Sequence, residues 1–263
     1  MRSGAERHPG IEADVDCRRV RQFVPGGNDP ELPVDPGRRK LSLRQPDPVG
    51  VLDCVLGSDA RLIVLPETAF PMLQHNVPPY YQQVLREHVR QQAGDILIGT
   101  FEKEGERYFN SVYSLGTADS QHYRKDHLVP FGEFIPMRGV LGWFINEVLQ
   151  IPMGDLASGG AAQAPLDVAG QKVAVNICYE DVFGEEIIRP LPQATLLVNV
   201  TNDAWYGDSN AAVQHNQMSQ MRALETGRMM LRATNTGFTS VIGRDGQVLA
   251  QLPQHEEGVL TAE

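Results

Sequence analysis

The 263-residue sequence holds only three cysteines, four lysines and two tryptophans, and no long apolar run. Each shortage excludes something. Cys17, Cys54 and Cys178 are odd in number, far apart and without a CxxC pair, which argues against a disulfide framework or a structural zinc site. The seven histidines show no HExxH or similar ligand spacing, so no metal is expected. No window approaches the roughly 18 consecutive apolar residues of a membrane span. The N-terminal MRSGAERHPGIEADVDCRRV lacks the apolar stretch of a signal peptide, and the chain by itself reads as soluble. Positive charge is also short. A formal charge of −10 offers no basic face to neutralise phosphates, which excludes non-specific nucleic-acid binding.

What is present suits a folded domain: 41% hydrophobic and 21% charged residues, in a length able to bury a substantial core. Residues 1–50 differ, being crowded with Arg, Pro and Gly without a sustained period. They read as a divergent, poorly ordered arm. Residues 51–263 read as one mixed α/β domain with a largely buried sheet. ARLIVLP, DILIGT, FNSVYSLG, KVAVNIC and ATLLVNVT have the texture of strands. PYYQQVLREHVRQQAG has that of an amphipathic helix ended by Gly94, and a short helical stretch is expected near GEEIIRPL. AVQHNQMSQMRALETGRMMLRAT is expected to form one long helix whose methionine stripe packs in the core. FTSVIG and GQVLAQL, joined through Arg244-Asp245-Gly246, form a hairpin. The apolar, Pro- and Gly-punctuated segment from about 131 to 160 reads either as a further core helix or as a lid over an acyl-chain site.

A lone cysteine in a strand is most often a small buried hydrophobe. Cys178, however, ends KVAVNIC and is followed at once by Tyr-Glu-Asp, the pattern of a strand-to-helix turn. Such a turn lifts a nucleophile clear of the sheet, frees the next backbone N–H to bind an oxyanion, and favours a thiolate through the helix N-terminus. No histidine occupies a comparable strand end. Glu67, in VLPETAF, follows a strand stopped by Pro66, and is either a plain helix N-terminal acid or a base at the sheet edge shared with Cys178. Lys125 is one of four lysines among 23 basic residues, and it stands directly after Arg124. That choice suggests a need for a compact ammonium. Glu133 lies eight residues on and could hold it. Glu67 as proton acceptor, Cys178 as nucleophile, and Lys125 with the Tyr179 N–H as oxyanion donors compose an acyl-transfer site.

These residues, in this order, resemble the nitrilase (carbon–nitrogen hydrolase) superfamily. LPETAFP, YFNSVYSLG, YRKDHLVPFGEFIP, ICYED, NVTNDAWYGDS, QHNQMSQMRALETGR and LRATNTGFTSVI are similar to its apolipoprotein N-acyltransferase branch over roughly residues 60–260. The resemblance implies a four-layer α-β-β-α sandwich with a Glu–Lys–Cys triad at Glu67, Lys125 and Cys178. It implies supporting or substrate-binding roles for Glu133, Asn110, Tyr179 and Glu180, and for Trp143 in a lid. It further implies transfer of a fatty acyl group from phospholipid, through a cysteine thioester, to the N-terminal S-diacylglyceryl cysteine of an apolipoprotein, without a cofactor. The family works at the inner membrane with this domain on the periplasmic side, and it carries transmembrane helices around the domain that the present sequence lacks. A fragment is therefore expected, with the family's first strand only faintly matched by RQFVPGGNDPELPVDP. The alternatives are a soluble amidase with the same triad and an inactive fragment.

Overall fold

The computed structural model of the protein describes residues 13–15, 48–130, 132–134, 156–207, 209–256 and 258–262. Two six-stranded sheets form the centre of these residues. The first contains β1 (Ala13–Val15), β2 (Leu62–Val64), β3 (Asp95–Glu104), β4 (Arg107–Gly116) and β5 (His122–Arg124), with β12 (Leu260–Ala262) from the far end of the chain, in the order β12-β1-β2-β3-β4-β5. The second contains β6 (Leu166–Val168), β7 (Gln171–Ile177), β8 (Leu196–Thr201), β9 (Met230–Thr234), β10 (Ser240–Ile242) and β11 (Val248–Gln251), in the order β11-β10-β9-β8-β7-β6. Strands β1-β2-β3 and β7-β8-β9 run parallel, and antiparallel strands extend both sheets outward.

The period of two along each strand builds the layers. Leu62 and Val64 point between the sheets, where they meet Val173, Val175, Ile177, Val198 and Val200. Ile63 and Leu65 point outward, onto Val51 and Val55 of α1 (Pro48–Leu56) and Leu85 and Val89 of α2 (Pro79–Gln91). On the other side Ala174, Leu197 and Met230 pack against Ile187 of α3 (Gly184–Ile187) and Ala223 of α4 (Ala211–Thr226). Helix, sheet, sheet, helix is the sandwich the resemblance implied. Each fully buried Leu, Ile or Val contributes about 1.5–3 kcal/mol. Strands buried on both faces therefore read as continuous apolar runs.

Four expectations change. The helix predicted through Thr234 stops at Thr226, where Gly227 takes a left-handed φ of 62° and caps it, and Met230–Thr234 is strand β9. The methionines within the helix are not core: Met221 is 47% exposed and Met218 and Leu224 are exposed beside it, whereas the helix buries His215, Asn216 and Ser219, and of the expected stripe only Met230, on β9, is fully buried. The arm is not without structure, since Ala13–Val15 pairs with both β2 and β12, ahead of the stretch matched to the family's first strand, and α1 begins at Pro48 rather than after residue 50. Cys54 is disulfide-bonded, which odd cysteine arithmetic argued against.

Candidate active site

Three residues beyond β2, the chain turns sharply at Glu67 and Thr68, the latter with φ 52°. The turn lies so close to β3 that a Cβ on Gly99 would come within 2.3 Å of the Pro66 carbonyl oxygen, so glycine is required there. Glu67 is buried by this packing. Its Oε1 accepts from Asn110 Nδ2 at 2.7 Å, and its Oε2 accepts from the Asn202 backbone N–H at 2.7 Å, across from the second sheet. Burial raises its pKa above the usual carboxylate value despite nearby Lys125, and Glu133 adds to the rise.

Lys125 follows β5 and is 1% exposed. Its backbone is tied on both sides, to Asn110 O at 2.8 Å and Gly159 N at 2.9 Å. Its Nζ donates to Glu133 Oε1 at 2.8 Å and stands 4.0 Å from Glu67 Oε1. Burial disfavours the ammonium, but Cys178, Glu67 and Glu133 outweigh it and place the pKa above the ordinary lysine value. Glu133 is itself fixed, accepting from the Val129 N–H at 2.9 Å and Asn110 Nδ2 at 3.2 Å.

Cys178 is free and buried, and it opens a 3₁₀ turn, Cys178–Val182, directly after β7. Its φ of +57° is a left-handed conformation that costs a non-glycine residue on the order of 1–3 kcal/mol. Asn199 Nδ2, 2.9 Å from the Cys178 carbonyl oxygen, helps to hold that geometry. Tyr179 is the second residue of the turn, where a backbone N–H lacks a partner within the helix. Burial and the Glu67 carboxylate push the thiol up to about 12, so a nucleophilic role would require a base to take its proton.

Glu67, Lys125 and Cys178 line one cavity, together with Asn110 and Glu133. Its remaining wall is largely apolar, from Phe101, Val129, Leu156 and Trp205, and the Trp205 indole is 55% exposed at the rim. The sequence placed Glu67 and Cys178 at one sheet edge. They instead terminate strands of different sheets and meet across the sandwich. Tyr179 and Glu180 are not on the cavity wall. The Tyr179 hydroxyl donates to Leu128 O at 2.8 Å. Glu180 accepts from the backbone N–H groups of Asp126, His127 and Ile177 and from the Tyr123 hydroxyl, binding the Lys125 loop to the end of β7. Trp143, and most of the segment expected as a lid, lie outside the described residues. Asn202, Trp205 and Tyr206 were not singled out from the sequence. Their signal was the polar-aromatic run NDAWYG directly after a buried strand.

The family model for carbon–nitrogen hydrolase matches residues 51–263. The chain belongs to that family. Among curated carbon–nitrogen hydrolase relatives, it is 58% identical over 202 residues to an apolipoprotein N-acyltransferase of Nitrosomonas europaea, a match covering 76% of this chain and 40% of that protein. It is 47% identical over 205 residues to one of Methylococcus capsulatus, covering 77% and 40%. The chain thus spans well under half the length of these relatives. Among solved structures, it is similar to a CN-hydrolase superfamily protein of Xanthomonas campestris carrying an arsenic adduct in its active site, with TM-score 0.64 and 18% identity over 97% of this chain and 90% of that one. It is also similar to an amidase of Nesterenkonia sp. AN1, with the acetamide moiety of fluoroacetamide added to its active-site cysteine, with TM-score 0.57 and 20% identity over 82% and 84%. These two likenesses bear on the fold.

Proposed function

We propose that this chain is the catalytic domain of an N-acyltransferase that moves a fatty acyl group from phospholipid to the α-amino group of an N-terminal S-diacylglyceryl cysteine. The observation that carries the reading is the convergence of Glu67, Lys125 and Cys178 on one apolar-walled cavity, in a chain with relatives of that name. Glu67 removes the thiol proton as Cys178 Sγ attacks the ester carbonyl. Lys125 Nζ and the Tyr179 N–H stabilise the oxyanion. As the ester C–O bond breaks, Glu67 returns the proton to the departing lysophospholipid hydroxyl, leaving a thioester. The acceptor amine then attacks the thioester, loses its proton to Glu67 and forms an amide, and the proton restores the thiol. No cofactor enters. The work takes place at a membrane surface, on the periplasmic side of the inner membrane. Among the described residues, no helix is long and apolar enough to cross a membrane.

The test is intact-protein mass spectrometry after incubation with phospholipid micelles, with Cys178→Ala in parallel. A hydroxylamine-labile gain of one fatty acyl group, absent from the variant, is expected. Steady ammonia release from simple amides, lost in Cys178→Ala, with no acyl gain from lipid, would replace this reading with an amidase.

A further inference from the structure

His215 lies on the inner face of α4, buried directly beneath the Cys178 turn. Its Nδ1 is 3.0 Å from Asp203 Oδ1. Its Nε2 is 3.0 Å from Asp181 Oδ1 and 3.2 Å from the Cys178 carbonyl oxygen. Carboxylates and carbonyls only accept, and a neutral imidazole carries one N–H and one lone pair. In either neutral tautomer the lone pair would face an acceptor oxygen at close range. Only the doubly protonated ring satisfies both sides.

The charges around it agree. Arg232, fully buried on β9, places Nη2 3.1 Å from Asp203 Oδ2 and Nη1 3.3 Å from Asp181 Oδ2. Two aspartates are thus shared by two basic residues, and the buried quartet is neutral only when His215 is charged. Among the described residues, the other groups facing it are uncharged: Tyr206 meets the ring edge-on, Ser219 donates to Asp181 Oδ2, and Asn199 bonds Arg232 and the Cys178 carbonyl. Burial and Arg232 pull the imidazole's pKa down, but Asp181 and Asp203 outweigh them and leave it above the usual histidine value. The cluster is also tightly closed, since a Cβ on Gly237 would fall 1.8 Å from Asp203 Oδ2.

We propose that His215 is kept as an imidazolium at neutral pH, and that its Nε2–H, with Asn199, clamps the Cys178 carbonyl and so fixes the strained backbone that presents the nucleophile. His215 is then a positioning residue, not a base acting on the thiol. The role rests on the reading of Cys178 as the reacting group, whereas the protonation state does not.

Two measurements test it. Imidazole-¹⁵N-labelled histidine in the full chain reports the protonation of both ring nitrogens by NMR. Both are expected to be protonated at pH 7, and the ring to titrate above 6.5. An unprotonated-nitrogen resonance at pH 7 that is missing from His215→Gln, and so belongs to His215, would overturn the proposal. The second measurement is the rate of Cys178 alkylation by iodoacetamide across pH, normalised to folded protein, in wild type, His215→Gln and His215→Ala. Misplacing the nucleophile is expected to slow the alanine variant by up to about a hundredfold. Glutamine, which keeps one N–H donor, recovers part of the rate. Wild type alone carries a step at the midpoint found by NMR. Equal rates and profiles in all three proteins would refute the positioning role. Iodoacetamide needs no acyl donor, so a failed phospholipid assay and a failed clamp are distinguishable.

Discussion

At Lys125, near-complete exclusion from water and the approach of two carboxylates leave a place shaped for an ammonium. A guanidinium is larger and planar, so Lys125→Arg is expected to lose most acyl-enzyme formation despite keeping the charge. Wild-type acylation in that variant would leave Lys125 no role as an oxyanion donor. Cys178→Ser is expected to fall by orders of magnitude in the same mass-spectrometric assay, because a hydroxyl next to a carboxylate is a far poorer nucleophile than a thiol. In the proposed mechanism the base sets the acid limb. Glu67 must be ionised to accept the thiol proton, and its pKa is raised by burial above 4.5, so Cys178 alkylation should rise with pH through a midpoint above that value. Glu67→Gln should abolish this limb, and an unchanged limb in the variant would assign it to another group.

At the scale of elements, the site depends on two close fits. Gly99 lets β3 pass under the Glu67 turn, and Gly99→Ala must push Pro66 away. Overpacking of this kind costs typically about 1–3 kcal/mol. The expected outcome is a lower denaturation midpoint together with slower alkylation, because the displaced backbone carries the base. A lower midpoint with unaltered alkylation would show that the turn can shift without moving Glu67. Glu180 is the second fit, with four donors converging on its carboxylate. Glu180→Gln turns an NH₂ toward some of those donors and is expected to cost at least about 2 kcal/mol, measured by urea unfolding. The ICYED motif made this residue legible as important, and its four contacts brace the Lys125 loop. Long-range pairing explains the difference, since Glu180 and Asp126 are 54 residues apart in the chain.

For the whole molecule, three buried ionisable groups shift in the same direction. Glu67 and Glu180 have raised folded-state values, Glu180 reaching about 7 through burial, and His215 stands above 6.5. The folded chain therefore binds protons more tightly than the unfolded chain between pH 4.5 and the neutral range. Stability falls as pH climbs through these values. Asp203 acts oppositely: against the cost of burial, Arg232 and His215 lower its pKa, and that stabilisation is lost as pH falls below 3.8. A thermal midpoint higher at pH 5 than at pH 8 is expected, with a shallower decline in His215→Gln. A midpoint that rises over that interval would reverse the assignment.

Local pattern alone determined strands β2, β3, β4, β7 and β8, the α2 helix and the C-terminal hairpin, because residues alternating at two or at three to four announce their own buried face. That Glu67, Lys125 and Cys178 lie close together could be suspected from the sequence, where Lys and Cys are scarce and Glu67 and Cys178 follow strands, and they do line one cavity. Only the tertiary structure decided that Glu67 and Cys178 follow strands of opposite sheets, and that Asn202 from the second sheet holds Glu67. It alone showed Met218 and Met221 outside and the polar stripe of α4 inside. The physical reason is that helical periodicity marks two faces without saying which is buried. A face carrying His215, Asn216 and Ser219 looks solvated until Asp181, Asp203 and Arg232 arrive from other elements to satisfy it.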